Sequence, residues 1–185
     1  MFPIKTLDMK QILTLFTIFL SVQYVSGQTE KGDWLVGGSF SLNTAKNSTT
    51  ISLSPNAGFF LFDNFLLGGK LGYEFSELGD TKISAFDIGP FTRYYFQGTK
   101  VKPFGQFDLD FQSAKLTTDL GSSTESAVGF FIGAGVALFL NENVALETVM
   151  GYKNTKVENQ SGTGGFNMRL GFQVYINRLG KLVKK

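Results

Sequence analysis

Stretches of about ten residues in which apolar side chains alternate with polar ones or glycine recur eight times along this 185-residue chain, and they limit the choice of fold more than any other feature. Phe107, Leu109 and Phe111 fall on one face of an extended segment, and Asp108, Asp110 and Gln112 on the other. Successive side chains of a strand point to opposite faces, so such a segment needs two different environments. In a soluble sheet the apolar face meets a core. In a transmembrane barrel it meets lipid, and the polar face lines the lumen.

The strands expected from this pattern are Trp34 to Leu42, Ile51 to Phe60, Phe65 to Ser76, Ile83 to Phe96, Val101 to Ala114, Ser126 to Leu140, Val144 to Lys153 and Gly165 to Ile176. Their number is even. The connections Leu61 to Asn64, Gln97 to Lys100 and Asn141 to Asn143 are short, whereas Asn43 to Thr50, Glu77 to Lys82, Lys115 to Glu125 and Asn154 to Gly164 are longer and polar. Brief periplasmic turns alternating with longer external loops are the mark of an outer-membrane barrel. The fold expected is therefore all-β: an eight-stranded antiparallel up-and-down transmembrane β-barrel with both ends of the sheet on the periplasmic side.

Residues 1–27 read as a cleaved export signal rather than as part of the fold. Lys10 supplies a positive start, Ile12 to Val22 is almost wholly apolar, and Val25, Ser26 and Gly27 are small residues ahead of Gln28. Met9 followed by Lys10 is a more natural start than Met1. A permanent anchor is the rival reading, but the apolar run falls short of the ~18 to 20 residues that a spanning helix needs. Residues 28–176 then form one barrel domain and 177–185 a short tail. Without Lys5, Lys10 and Asp8, fifteen basic and fourteen acidic residues remain, and no basic patch of the nucleic-acid kind is present.

The chain has no cysteine and no histidine. The first zero removes disulfides and thiolate metal sites, and the second removes the commonest general base and metal ligand. No enzymatic activity, metal or cofactor is expected. Asp108 and Asp110 have the form of paired acids in a hydrolase or a metal site, yet they simply follow the strand alternation. Gly133, Ala134 and Gly135 imitate the start of a nucleotide-binding loop, but no helical pattern follows them. Twenty-two glycines and twenty phenylalanines against four prolines favour strands over helices. An internal echo aligns Asn64 to Leu67 and Leu71 to Tyr73 with Asn143 to Leu146 and Met150 to Tyr152, and it pairs Phe60 with Phe139.

Side-chain parity assigns the faces, and a slip of one residue would exchange them all. Trp34, Val36, Phe40, Leu53, Leu71, Phe86, Ile132, Met150, Phe166 and Leu170 fall on the outside. Lys70, Glu74, Asp87, Arg93, Asp108, Asp110, Glu147, Lys153 and Arg169 fall on the inside, with Gln106, Gln112, Asn167 and Gln173 among them. Isolated charges are costly in a narrow lumen, so Lys70, Arg93, Lys153 and Arg169 are expected to pair with the five carboxylates. Eight strands enclose a bore just wide enough for side chains. A filled lumen is thus the plain reading, and a small polar pathway the functional one.

The segment Phe86 to Phe96, the hairpin Phe62 to Tyr73 and the stretch Gly133 to Tyr152 resemble the bacterial outer-membrane β-barrel proteins related to the transmembrane domain of outer-membrane protein A, especially those of Bacteroidetes. The resemblance covers most of Trp34 to Ile176. It implies residence in the outer membrane, contact with lipid and lipopolysaccharide, assembly by the barrel-insertion machinery and a monomeric state. The final strand, with Arg169, Gly171, Val174 and Ile176, fits the family's assembly signal, although the chain runs on through Asn177 to Lys185. A structural or porin-like role follows. The alternatives are a passive channel or small-ligand carrier, and an adhesion module acting through external loops, where Lys46, Lys82, Lys115 and Lys156 are placed to touch lipopolysaccharide phosphates. Alternation alone does not separate inside from outside. A lipocalin-like soluble barrel with an apolar interior is the competing fold.

Overall fold

A computed structural model describes residues 29–45, 48–78, 81–118, 121–157 and 162–177, so residues 1–27, where an export signal is expected, and most of the tail lie outside the described residues. The regular elements described are eight strands: β1 (Trp34–Ala45), β2 (Ser48–Phe62), β3 (Phe65–Leu78), β4 (Thr81–Tyr95), β5 (Val101–Thr118), β6 (Gly121–Phe139), β7 (Val144–Val157) and β8 (Thr163–Ile176). Each pairs antiparallel with its neighbours in sequence, and β8 returns to β1 to close the barrel. Closure removes the open sheet edges that an isolated sheet would expose.

The expected short turns stand where the sequence puts them. Between β2 and β3 only Asp63 and Asn64 intervene, and Asn64 takes the left-handed conformation (φ 65°) that asparagine tolerates better than most residues. The expected long loops need correction. Polar segments at the other end continue as strands, leaving only residues 46–47, 79–80, 119–120 and 158–162 between them. Lys82, Lys115 and Lys156 thus sit in β4, β5 and β7 and not in loops, while Lys46 lies outside the described residues. The physical reason is that threonine- and serine-rich strands with no apolar face still satisfy their backbone by pairing, so hydropathy ends before the ladder does.

Two prolines mark local breaks in that ladder. Pairing of β2 with β3 skips Ser54 and Pro55, and pairing of β4 with β5 skips Gly89 and Pro90. Proline has no N–H to donate, so it interrupts the ladder on one side. The seam between β1 and β8 is short as well. It runs only from Trp34 paired with Ile176 to Phe40 paired with Leu170, whereas β1 pairs with β2 along its whole length.

Parity settles the faces as expected. The apolar residues assigned outward, among them Val36, Phe40, Leu71, Phe86, Ile132 and Leu170, are exposed around the whole barrel. Lys70, Arg93, Asp108, Asp110, Glu147 and Gln173 are buried inside. A lipocalin-like arrangement would have reversed this. So large an exposed apolar surface demands an apolar solvent. Ile132, 56% exposed, lies well inside the outward file Val128, Phe130, Ile132, Val136, Leu138. In a bilayer, Ile132→Arg is expected to cost about 2–4 kcal/mol, whereas Leu140→Arg at the end of the same file is expected to cost about 0–1 kcal/mol. Urea unfolding of vesicle-reconstituted protein measures both; equal costs would remove the lipid assignment.

Candidate functional site: the lumen

The interior is layered from the end where β1 begins and β8 finishes, and the layer there is not polar. Leu35, Phe60, Leu66, Tyr95, Phe104, Phe139 and Tyr175 are fully buried there. Phe139 and Tyr175 place their ring centroids 4.8 Å apart, Tyr95 and Phe104 5.3 Å, and Phe60 and Tyr95 5.8 Å. These are the separations at which aromatic rings attract one another. Phe60 and Phe139, matched in the internal echo, thus play equivalent parts in one plug. Glycines make room in the wall: a Cβ at Gly135 would collide with the Phe104 ring, and one at Gly133 with the ring of Phe131.

The chain leading into β1 folds across this end. Gly32 N–H donates to Phe60 O, Phe60 N–H to Asp33 O, and Asn64 N–H to Thr29 O, all between 2.7 and 3.0 Å. The Thr29 hydroxyl donates to Asn64 Oδ1 at 2.7 Å and accepts from Lys102 Nζ at 2.8 Å. A strap of residues 29–33 therefore underlies the aromatic plug.

Directly above the plug lies the first charged layer. Arg93 Nη1 meets Glu147 Oε2 at 2.6 Å, and Tyr175 donates its hydroxyl to Glu147 Oε1 at 2.8 Å. Tyr175 and Tyr95 join their hydroxyls at 3.0 Å, so the plug's polar tips complete the carboxylate's shell. The Arg93 guanidinium also lies over the Phe104 ring, 4.7 Å from its centroid. Arg93 Nε donates to Gln106 Oε1 at 2.7 Å, and Gln106 Nε2 donates to Asp108 Oδ1 at 2.6 Å. That amide bridges two ion-pair groups.

In the second group, Asp108 Oδ2 receives Lys70 Nζ at 2.8 Å and Arg169 Nη1 at 3.0 Å. Lys70 Nζ also meets Asp110 at 2.8 Å. The Arg169 guanidinium stacks over Phe131 at 4.1 Å. Arg169 Nε and Nη2, both amide atoms of Gln173 and Asn56 Oδ1 are buried without a protein partner. They line a cavity with about 20 Å³ open to the centres of water molecules, which suits one or two ordered waters bridging these groups.

Six of the nine expected lumenal charges are thus brought together: Lys70, Arg93, Asp108, Asp110, Glu147 and Arg169. Glu74, Asp87 and Lys153 stand higher in the barrel and enter none of the four ion pairs described. Lys153 makes no described contact at ion-pair distance, but its charge acts on Asp87 across the water-filled part of the lumen. All three side chains are half-exposed, so hydration shares in supporting their charges. Glu74 accepts a hydrogen bond from the Ser52 hydroxyl at 3.2 Å.

What parity missed was the plug. Its signal is nonetheless in the sequence, as runs in which both faces are apolar: Phe59, Phe60, Leu61; Tyr94, Tyr95, Phe96; Leu138, Phe139, Leu140. A strand apolar on both faces is buried or wetted by apolar matter on both. As for metals, no cluster of three or more acidic ligands suited to an ion occurs among the described residues.

Solved barrels are similar to this one in architecture. Neisserial surface protein A superimposes with a TM-score of 0.58 at 17% identity, over 79% of this chain and 94% of that one. The N-terminal β-barrel domain of OprF from Pseudomonas aeruginosa gives 0.59 at 15% identity, over 80% and 100%. The outer membrane protein OprG from the same organism gives 0.51 at 13% identity, over 83% and 100%. No curated protein sequence matches the chain. At these identities the solved structures speak for the fold alone. Family membership comes from the sequence: residues 12–174 match the model of the outer membrane protein β-barrel domain. An apolar belt around a closed eight-stranded barrel and that match over most of the chain agree, and the chain belongs to the outer membrane protein β-barrel domain family.

Proposed function

We propose that the protein is a structural barrel of the outer membrane, closed to ions at its periplasmic end and carrying a blind, water-filled vestibule open to the exterior. In this reading residues 1–27 are removed on export, the insertion machinery assembles the barrel as a monomer, and its partners are membrane lipid and lipopolysaccharide. The supporting observation is the aromatic plug of Phe60, Tyr95, Phe104, Phe139 and Tyr175, which occupies the bore beneath the Arg93–Glu147 pair. An ion following the lumen from outside would lose its hydration against rings that offer no replacement ligands.

A porin-like role asks for a continuous polar path, and the plug and the strap of residues 29–33 stand across one. An adhesive role asks for external loops, and the strands take up most of the residues such loops would use. No catalytic role is proposed: the buried carboxylates Asp108, Asp110 and Glu147 are each held against a cation, and no histidine is present to share a proton with them. Purified protein in a planar bilayer is expected to be electrically silent. Discrete conductance steps from the wild-type protein would overturn the closed-barrel reading.

A further inference from the structure

The ladder between β1 and β8 ends at Phe40 and Leu170, yet neither strand ends there. Residues 41–45 still belong to β1, and Thr163 to Arg169 still belong to β8. Had the register continued, Ser41 would face Arg169 and Leu42 would face Met168. Instead the two strands part, and the wall carries a slot.

The height of the slot gives it meaning. Seven residues of a strand tilted by about 40° rise roughly 16 to 18 Å, less than the ~25 Å apolar band of such a barrel. Phe166 and Met168, on the unpaired part of β8, still present exposed apolar side chains outward. The slot therefore opens while the wall is still facing hydrocarbon, in its outer half. Unpaired strand edges are not tolerated against lipid, because each unsatisfied N–H or C=O costs several kcal/mol in hydrocarbon. Polar atoms must reach these edges from one side or the other.

The inner side of the slot is polar. A cavity of about 430 Å³ lies against it, lined by Ser41, Thr50 and Ser52 on one flank and by Thr163, Gly165 and Asn167 on the other. Glu74 and Lys153, the charges that take no part in the ion pairs below, also face this cavity and supply one charge of each sign. Its lining extends to Phe166, whose side chain is 73% exposed on the outer wall. The chamber thus lies directly against the unpaired edge of β8, from Thr163 to Asn167.

We infer that this slot is a lateral portal, through which the zwitterionic head of an outer-leaflet amphiphile enters the vestibule while its acyl chains stay outside along Phe40, Phe166, Met168 and Leu170. A fully apolar ligand fits poorly, because the chamber offers hydroxyls, amides and two opposite charges. A free polar solute would not need an opening at the level of hydrocarbon. The head group and the water that accompanies it supply hydrogen-bond partners to the unpaired edges of β1 and β8. This inference rests on the membrane placement proposed above and is independent of whether the periplasmic end conducts.

The chain has no cysteine, so single-cysteine labelling tests the portal directly. Fluorophores are placed at Ser41→Cys and Asn167→Cys beside the slot and at Gln112→Cys on β5 in the same chamber. A fourth goes at Tyr73→Cys on the outer wall. Each protein is reconstituted into vesicles containing a phosphatidylcholine with a nitroxide on its choline nitrogen. Quenching at residues 41 and 167 is expected to be at least threefold stronger than at 112. Quenching at 73 alone would keep the barrel in the membrane and overturn the portal. Absence of quenching at 73 as well would overturn the membrane placement. The paired double variants Leu42→Cys with Met168→Cys and Val36→Cys with Val174→Cys give a second readout. Only the latter pair, in register at Val36 and Val174, is expected to form an intramolecular disulfide. A disulfide forming equally well at 42 and 168 would show a zipped wall, and one forming between two molecules there would assign the edges to a second copy; either result overturns the inference.

Discussion

Glu147→Ala is expected to lower the free energy of unfolding by about 3–5 kcal/mol, the cost of leaving one member of a buried ion pair without the other. Its carboxylate is the sole anion bonded to Arg93 among the described contacts, and it also receives the Tyr175 hydroxyl. After the substitution Arg93 keeps Gln106 and the face of Phe104, but cation–π contact restores only about 0.5–2 kcal/mol. The double variant Arg93→Met with Glu147→Leu removes the charge together with its partner and is expected to recover most of the loss. Glu147→Gln keeps a group for the tyrosines to bond and is expected to fall between. The single tryptophan, Trp34, lies on the lipid-facing wall, so its emission reports departure from the bilayer during urea unfolding. A loss under about 1 kcal/mol for the single variant, or a double variant no more stable than the single, would show that the pair is not held as described. Conductance is not expected from any of these proteins, since the ring layer beneath Glu147 remains.

That ring layer is also where the reading of the sequence ran short. Alternation placed Lys70, Arg93, Asp108, Asp110, Glu147 and Arg169 inside correctly, because a period of two needs only the identity of each residue and its parity. It predicted a polar lumen throughout, because it treats each strand as one apolar and one polar face along its whole length. At Tyr94, Tyr95, Phe96 and at Leu138, Phe139, Leu140 both faces are apolar, and the inner residue belongs to the plug. Strand ends beyond the membrane were hidden for the opposite reason: around Thr117, Ser123 and Thr155 both faces are polar, so there is no alternation to read. Partner choice was legible only as charge balance. Which residue of β5 Lys70 meets depends on the stagger between β3 and β5, which pairing across an intervening strand sets and which no single strand encodes. The slot between β1 and β8 was invisible on the same grounds, since it is defined by pairs that the two ends of the chain fail to make.

The stagger has an energetic consequence that separates two adjacent acids of the same strand. Asp108 is fully buried and receives Lys70, Arg169 and Gln106, whereas Asp110 receives Lys70 alone and shares it with Asp108. Asp108→Asn conserves volume and removes the anion between the buried Lys70 and the largely buried Arg169. Lys70 can then lean on Asp110, but Arg169 is left with the face of Phe131 and the small polar cavity beside Gln173. A loss of about 3–5 kcal/mol is expected. Asp110→Asn leaves Lys70 on Asp108, to which it donates its hydrogen bond, and removes only an ion contact without hydrogen-bond geometry, so it is expected to cost clearly less than Asp108→Asn. Removing a cation as well should reverse the larger effect, so Asp108→Asn with Arg169→Met is expected to be more stable than Asp108→Asn alone. Urea unfolding in vesicles, followed by Trp34 emission and by heat-dependent gel mobility, measures all three. If Asp110→Asn proved the more damaging, Lys70 would be anchored chiefly by Asp110 and the hub would lie one layer higher, at the floor of the vestibule, where Glu74 and Asp87 would become its neighbours and the chamber behind the slot would share its charge.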